Sequence, residues 1–234
     1  LPIKIMVSLI HSLWIILYYK PIAVIGTGGF ASGPIVFIAS LLHIKTFIQE
    51  QNAFPGFTNK LLSRYVDKIF VAHNNMDLFF PKHKLLNLGN PVRNSLKINT
   101  SFQRKSRSFF HLKKDVFTIL VIGGSLGATP INNFIKKNLT LLLNKDCQLI
   151  WQTGSSDYEK HISSSSDLCS IHQFISRMDL AYNASDIVIS RAGAIAIAEL
   201  CFLSKASILI PSPYVTDNHQ FKNAKYLEQN SACF

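Results

Sequence analysis

Short apolar runs that end in glycine clusters and then give way to helical patterns constrain the fold of this chain more than any other feature. One predicted strand, residues 22–25, runs into Gly26-Thr27-Gly28-Gly29, and another, residues 117–122, runs into Gly123-Gly124-Ser125. A third cluster, Arg191-Ala192-Gly193-Ala194, opens a helix after a strand that ends at Ser190. Strands that alternate with helices in this way predict parallel sheets covered by helices on both faces.

The α/β pattern occurs twice, which predicts two domains. We assign residues 1–93 to an N-terminal domain, 94–116 to a linker and 117–234 to a C-terminal domain. The linker is polar, basic and weakly periodic, which is typical of a solvated charged loop. In the first domain, Thr58 is a candidate N-cap of a helix over residues 58–65.

The N-terminal segment predicts a helix with a wide apolar face and a narrow polar stripe of Lys4, Ser8, His11 and Ser12. We expect the apolar face to pack on the core, with membrane contact as the alternative. The apolar stretch over residues 5–19 is shorter than the roughly 20 residues that a membrane-spanning helix needs.

The charge balance favours an anionic partner. With 24 Lys and Arg against 13 Asp and Glu, the net charge is +11 and the pI is near 9.6. Nucleic acid, a phosphorylated substrate and an anionic membrane surface all fit such a balance. Nucleic acid is disfavoured because the basic residues centre on the linker without interleaved aromatic residues. The four cysteines show no metal-ligand spacing, which indicates a reducing compartment and no zinc site.

The glycine clusters predict a phosphorylated ligand. Each exposes backbone N–H groups at the positive end of a helix, although glycine at any one of them could serve only a tight turn. No Gly-Lys-Ser/Thr follows any cluster and no G-x-G-x-x-G occurs, which disfavours nucleotide-triphosphate loops and nicotinamide enzymes.

Three polar segments contain further candidate functional-site residues. Glu199 lies on an otherwise apolar helix, where it either occupies an exposed position or binds the sugar hydroxyls of a nucleotide. Asp217 or Asn218 could be a helix cap, and residues 50–52 could be only a turn.

Together these segments resemble a known family. In order and spacing they are similar to the bacterial transferases that move N-acetylglucosamine from its UDP derivative onto lipid I in peptidoglycan synthesis. The matching motifs are residues 25–34, 50–52, 55–56 with 58–60, 89–93, 123–128, 152–154, 174–175 with 178, 190–199, and 217–220 with 223–224. The resemblance implies a GT-B fold, in which two Rossmann-like parallel-sheet domains face a cleft that holds the active site. It also implies direct attack of the acceptor hydroxyl on C1, with inversion, and no cofactor or metal.

The resemblance assigns two groups of residues. In donor binding, Asn52 and Gln220 contact the sugar, and Arg93 and Ser125 serve the sugar-diphosphate region. Ile175 contacts the uracil through its backbone, and Glu199 binds the ribose. The start of the Glu199 helix also belongs to the donor site, namely Gly193, Ala194, Ile195, Ala196, Ile197 and Ala198. The acceptor-side residues lie at the end of the first glycine cluster and the start of the next helix, namely Gly28, Gly29, Phe30, Ser32 and Gly33.

The chain also departs from the family pattern. The family opens with a strand and a Gly-Gly-Thr-Gly-Gly-His loop whose histidine is a candidate base, and neither is present here. We therefore expect a piece that lacks both ends and is weakly active or inactive, and we nominate no catalytic base. The resemblance implies UDP-N-acetylglucosamine and lipid I as partners, and a peripheral position on the cytoplasmic side of an anionic inner membrane. The alternatives are another GT-B sugar-nucleotide enzyme, such as a lipid glucosyltransferase or a UDP-sugar epimerase, and a non-catalytic nucleotide-binding protein.

Overall fold

The protein forms two compact α/β units in a computed structural model that describes residues 2–97, 102–144 and 146–230. Internal contacts divide the chain between Asn90 and Pro91, three residues before the boundary that we place at residue 93. The predicted alternation of strands and helices is confirmed in both units.

The first unit is a parallel sheet covered by helices. Its elements are α1 (Pro2–Tyr19), β1 (Ala23–Gly26), α2 (Gly29–Leu41), β2 (Lys45–Glu50), α3 (Phe57–Leu62), β3 (Lys68–Val71) and β4 (Leu85–Asn87), with 3-10 turns at Met76–Leu78 and Lys82–Lys84. The described strands pair in the order β1-β2-β3-β4, all parallel. Val36, Ile48, Leu62 and Ile69 are buried at the centre of its core.

Glycines are the N-caps of α2 and α3 in this unit. α2 begins at Gly29 because Gly28 makes the turn out of β1 in the left-handed region (φ 89°), which glycine adopts without strain. α3 begins at Phe57, and its N-cap is Gly56, so the assignment of Thr58 as the cap is wrong.

α1 does not present its apolar face to the core as we expected. Ser12 and Ile16 are buried, whereas Met6, Ile10 and Trp14 are 57–64% exposed. The side facing the unit therefore includes part of the predicted polar stripe. Ser12 satisfies its hydroxyl within the helix by donating to the Ser8 carbonyl at 2.7 Å, which makes its burial inexpensive.

The second unit contains a five-stranded parallel sheet within the described residues. Its elements are α4 (Gln103–Phe109), β5 (Phe117–Ile122), α5 (Thr129–Leu143), β6 (Cys147–Gln152), α6 (Tyr158–His161), β7 (Cys169–His172), α7 (Met178–Ala184), β8 (Ile187–Ser190), α8 (Ala194–Phe202), β9 (Ala206–Leu209) and α9 (His219–Gln229), with 3-10 turns at Ile162–Ser164 and Thr216–Asn218. The strand order β7-β6-β5-β8-β9 is that of a Rossmann-like sheet. The order reverses between β5 and β8, which makes their carboxyl ends the switch point of this sheet.

The segment predicted to be a solvated linker is built into the second unit wherever it is described; residues 98–101 lie outside the described part. α4 lies in it, and Leu96, Phe110 and Leu112 are buried in the core that also contains Leu120. Arg107 is 6% exposed, because its guanidinium donates to Asp186 Oδ2 at 2.6 Å and to the Ala184 carbonyl at 3.0 Å. The prediction of a charged loop is therefore wrong here: a paired arginine occupies a core position.

Within the described ranges, no helix has both the length and the apolar character that crossing a membrane requires. Cys169 and Cys201 are free thiols, and Cys233 lies outside the described residues.

Candidate functional site

A cavity of about 820 Å³ opens at the switch point of the second sheet. Ligands of open parallel sheets bind at this place because the chain leaves neighbouring strands toward opposite faces and opens a crevice. The wall comes from the loop after β5, the start of α5, the residue after β8 and the segment after β9. It comprises Gly123, Gly124, Ser125, Leu126, Gly127, Ala128, Thr129, Pro130, Asn133, Arg191, Ser212, Tyr214 and Gln220. Ser125 and Gln220, both predicted donor-site residues, are thus brought together.

The glycine loop after β5 is held by a close backbone contact. Gly127 (φ 91°) lies against Gly154 (φ 79°), and a Cβ atom on Gly127 would be 2.2 Å from the Thr153 carbonyl oxygen. Both positions need glycine because the left-handed backbone and the contact each exclude a side chain. The loop consequently leads into α5 in a fixed conformation, with its backbone lining the cavity.

Gln152 ties this loop to the predicted uracil contact. Its side chain is buried at the end of β6, where Nε2 donates to the Gly124 carbonyl at 3.0 Å and Oε1 accepts from the Ile175 N–H at 2.8 Å. The N–H of Ile175 is therefore already engaged, so a backbone contact with uracil would use its carbonyl or displace Gln152. From the sequence, Gln152 was identified only as part of a matching motif.

The buried carboxylate of Asp157 stabilises the glycine loop and the start of α5 through hydrogen bonds. Asp157 Oδ2 accepts from Thr129 Oγ1 at 2.8 Å and from Asn132 Nδ2 at 3.0 Å, and Oδ1 accepts from Lys160 Nζ at 2.8 Å. Asn132 also donates to the Thr153 carbonyl. The hydrogen bond from Lys160 and that from Asn132 lower the pKa of Asp157 to about 2. Asp157 therefore remains ionised and keeps the network intact at neutral pH.

Two side chains from other segments close the cavity. Arg191 Nη1 donates to the carbonyl oxygens of Ile210 and Pro211 at 3.1 and 3.0 Å, and burial lowers the pKa of its guanidinium. Gln220 Oε1 accepts from the Ser212 N–H at 2.9 Å. The sequence predicted no site role for Ser212 or Tyr214, and it included Arg191 only as part of a glycine cluster and of a matching motif. For Arg191, its position directly after a predicted strand and before a glycine was the available signal.

Glu199 is buried on α8 rather than exposed, which excludes one of the two interpretations of its sequence context. It is 4% exposed, Oε2 accepts from the Tyr182 hydroxyl at 3.0 Å, and Oε1 lies 3.3 Å from Arg93 Nε. Among the described residues, Oε1 has no hydrogen-bond partner, so the contact with Arg93 is an ion pair without hydrogen-bond geometry. The structure thereby places two predicted donor-site residues, Arg93 and Glu199, beside each other.

The start of α8 presents its positive end after β8. Gly193 is the N-cap, and the first turn contains Ala194, Ile195 and Ala196. Ile197 is buried and Ala198 is half-buried. Gly193, the first turn, Ile175 and Glu199 are not on the wall of the cavity.

The acceptor-side residues and Asn52 belong to the first unit. Gly28 and Gly29 form the turn into α2, which carries Phe30, Ser32 and Gly33, and Phe30 is 87% exposed. Gln51 Nε2 donates to the Thr27 carbonyl at 3.1 Å, which attaches residues 50–52 to this turn.

Glu50 organises that segment, a role that was not predicted from the sequence. The carboxylate is 2% exposed and accepts from the Asn52 N–H, Asn52 Nδ2, the Gly56 N–H and Asn59 Nδ2 at 2.8–3.2 Å. Residues 50–52 are therefore a fixed loop that orients Asn52. The sequence offered a weak signal, an acidic residue at the end of an apolar strand.

No group of three or more His, Cys, Asp and Glu side chains suited to a metal ion occurs within residues 2–97, 102–144 and 146–230.

Two family models match the chain. The profile of the glycosyltransferase family 28 C-terminal domain matches residues 118–234, and that of the glycosyltransferase family 28 N-terminal domain matches residues 2–71.

Curated relatives cover nearly all of the chain. It is 48% identical over 225 residues to the UDP-N-acetylglucosamine--N-acetylmuramyl-(pentapeptide) pyrophosphoryl-undecaprenol N-acetylglucosamine transferase of Flavobacterium psychrophilum, which covers 96% of the chain and 61% of that protein. It is 45% identical to the protein of the same name from Parabacteroides distasonis, over 98% of the chain and 65% of that protein. The chain thus spans about three fifths of the length of these relatives.

Solved structures confirm the expected GT-B fold. The crystal structure of Acinetobacter baumannii MurG superposes with a TM-score of 0.73 at 29% identity, covering 100% of this chain and 65% of that one. A UDP-GlcNAc 2-epimerase from Methanocaldococcus jannaschii in complex with UDP-GlcNAc and UDP has a TM-score of 0.56 at 14% identity, over 95% and 72% of the two chains. At that identity the second likeness concerns the fold alone.

Proposed function

Because this chain belongs to glycosyltransferase family 28, we propose that the protein transfers N-acetylglucosamine from UDP-N-acetylglucosamine to lipid I, forming lipid II in peptidoglycan synthesis. The observation that carries the proposal is the cavity at the switch point of the second sheet, bounded by the glycine loop, Arg191 and Gln220. The names of the similar proteins supply the identity of the sugar donor and the acceptor.

The diphosphate of the donor binds at the glycine loop. Backbone N–H groups of the loop and of the start of α5 offer donors, and Ser125 adds a hydroxyl. Arg191 contributes positive charge to the same wall. A second positive helix end follows Gly193 at the start of α8. These groups stabilise the negative charge that accumulates on UDP as its bond to the sugar breaks.

Glu199 and Ile175 bind the nucleoside of the donor. Carboxylate oxygens accept hydrogen bonds from ribose hydroxyls, and Glu199 Oε1 has no hydrogen bond among the described residues. Ile175 meets the uracil through its main chain, with Gln152 fixing the position of that main chain relative to the glycine loop. Because this contact uses the main chain of Ile175, recognition of the base does not depend on the side chain at position 175.

The amide side chains of Gln220 and Asn52, together with Arg93, bind the sugar. Gln220 and Asn52 each carry a carbonyl oxygen and an NH₂ group, so each can bind hydroxyl or acetamido groups. Gln220 is held by the Ser212 N–H and Asn52 by Glu50, which limits their rotamers. Arg93, with a side chain 52% exposed and Nε 3.3 Å from Glu199 Oε1, contributes positive charge to the sugar-diphosphate region.

Transfer proceeds with inversion. The acceptor hydroxyl of lipid I attacks C1 of N-acetylglucosamine, the bond from C1 to the β-phosphate oxygen breaks, and UDP leaves with that electron pair. The acceptor is held on the turn of Gly28 and Gly29 and by the adjoining Phe30, Ser32 and Gly33 of the first unit. The proton of the attacking hydroxyl leaves to a base that we do not assign to any residue of this chain.

Lipid I is embedded in a bilayer, so the protein works peripherally at the cytoplasmic face of the inner membrane. Two features support a membrane contact: the exposed apolar side chains of α1, including Trp14, and the net charge of +11. Each Lys or Arg near anionic lipid contributes on the order of 1 kcal/mol at low salt.

Radiolabelled transfer from UDP-N-acetylglucosamine to a soluble lipid I analogue tests the activity, with UDP-glucose as the matched donor. Product from the first donor alone supports the proposal; epimerised UDP-sugar without transfer, or equal use of both donors, contradicts it. Co-sedimentation with anionic and neutral vesicles tests the membrane contact separately. Equal binding to both kinds of vesicle would remove the electrostatic part while leaving the transferase proposal intact.

A further inference from the structure

Tyr182 contacts the predicted ribose-binding residue but is assigned no role by the family motifs. Its side chain is 2% exposed on α7, within the core cluster that also contains Ile197 and Leu200 of α8. Its hydroxyl donates to Glu199 Oε2 at 3.0 Å. The other carboxylate oxygen, Oε1, is buried without a hydrogen bond in the described part of the chain. The two oxygens of Glu199 therefore have different environments: one is anchored, and the other has unused acceptor capacity.

We propose that Tyr182 is a positioning residue for the nucleotide, anchoring one oxygen of Glu199 so that the other accepts from the ribose hydroxyls. This inference rests on the proposed ribose role of Glu199. A carboxylate on a glutamate rotates freely about its last torsion unless one oxygen is fixed. The Tyr182 hydroxyl provides that fixed point, and it lies on a different helix from Glu199.

Tyr182 is suited to this role because it always donates. Burial and the neighbouring Glu199 carboxylate raise the pKa of its hydroxyl above the ordinary value, so the group stays protonated throughout the physiological range. Its ring is packed in the core, so the hydroxyl cannot follow the carboxylate if the carboxylate turns. The hydrogen bond is therefore a constraint on Glu199 rather than an adaptable contact.

Arg93 cannot take over this function. Its side chain is 52% exposed, against 6% for Glu199, and its Nε reaches Oε1 without hydrogen-bond geometry. If the Tyr182 hydroxyl is removed, Oε2 becomes a buried acceptor without a donor, and the carboxylate turns toward the guanidinium as the nearest source of hydrogen bonds. Both oxygens would then be engaged by Arg93, and fewer lone pairs would remain for ribose.

The test compares UDP with 2′,3′-dideoxyuridine diphosphate, which lacks both ribose hydroxyls, by calorimetry. Tyr182→Phe should weaken UDP binding by about fivefold while leaving the dideoxy nucleotide unchanged, so the preference for ribose falls. Tyr158→Phe removes a hydroxyl from α6 on the other core cluster and should leave the preference at the wild-type value. Denaturant unfolding of each variant checks that the fold is retained.

Glu199→Gln separates failure of this inference from failure of the proposed function. If Glu199→Gln lowers the ribose preference and Tyr182→Phe does not, the positioning role is overturned and the ribose role of Glu199 stands. If wild type has no preference, or Glu199→Gln leaves it unchanged, the ribose role itself fails. Equal weakening of both nucleotides by Tyr182→Phe would show a general structural role and also overturn the inference. In the Glu199→Gln background, Tyr182→Phe should change the preference no further.

Discussion

Arg93 Nε lies 3.3 Å from Glu199 Oε1, and the two side chains differ sharply in exposure, at 52% and 6%. The guanidinium thus covers a buried carboxylate from the solvent side. A ribose hydroxyl that bonds to Oε1 has to displace part of this cover, and the displaced charge is then available to the diphosphate. The ion pair is therefore expected to weaken when the two proposed ligand contacts form.

A double-mutant cycle on Arg93 and Glu199 should give a small coupling free energy in the absence of ligand. We expect about 0.5–1 kcal/mol from the free energies of unfolding of Arg93→Ala, Glu199→Gln and the double variant, because one partner is half exposed and the contact is not a hydrogen bond. A coupling above about 3 kcal/mol would mean that the pair is a structural ion pair and does not yield to a nucleotide.

Glu199→Ala should weaken UDP binding by about 1–3 kcal/mol, the range for hydrogen bonds to a charged group. Isothermal titration of UDP measures it, with uracil alone as the control ligand, since uracil carries no ribose and should bind equally to both proteins. UDP affinity equal to that of wild type would remove Glu199 from the ribose site.

Substitutions at Gln220 should separate sugar binding from nucleotide binding. Gln220→Ala removes the amide NH₂ and the oxygen that accepts from the Ser212 N–H, and it adds no charge to the cavity. We expect it to lower kcat/KM for UDP-N-acetylglucosamine about tenfold while the inhibition constant of free UDP changes little, as for one hydrogen bond to the sugar. Equal losses for both ligands would show that Gln220 acts on the nucleotide or on the fold.

Gly127→Ala should destabilise the second unit, whereas Gly193→Ala should not. A methyl group on Gly127 would meet the Thr153 carbonyl oxygen at 2.2 Å on a backbone with φ 91°, and the left-handed conformation alone costs roughly 1–2 kcal/mol. A methyl group on Gly193 meets nothing within 4 Å. Thermal unfolding of both variants is the measurement, and similar melting temperatures would contradict the packing described for the glycine loop.

Acid should remove the stabilisation that Asp157 provides. The folded pKa of about 2 lies below the ordinary value of 3.8, so the unfolded state binds the proton first, and the contribution is lost as the pH falls from about 4 toward 2. The difference corresponds to about 2 kcal/mol. Urea unfolding of wild type and Asp157→Asn from pH 7 to pH 2.5 measures it. The variant should be less stable at pH 7, and the two free energies should converge in acid; a constant difference would refute the assignment.

The sequence alone determined the repeated α/β pattern and the places of the glycine loops. Apolar runs, glycines and helical periodicity act between neighbouring residues, so strands such as β5 and loops such as residues 123–128 can be read from a short window. The family motifs added the likeness to a transferase, and with it donor-site residues such as Ser125 and Gln220, which the fold then brings to one cavity.

Tertiary structure decided what depends on partners distant in the chain. The sequence predicts a solvated Arg107, whereas the fold pairs it with Asp186 and the Ala184 carbonyl. The sequence predicts that the apolar face of α1 packs on the core, whereas the packing of the first unit leaves Trp14 exposed. The environment of Glu199, with Tyr182 on one oxygen and Arg93 at the other, likewise has no local signature. The free energy of burying a charge is set by the groups that surround it in the folded chain, and local sequence does not specify those groups.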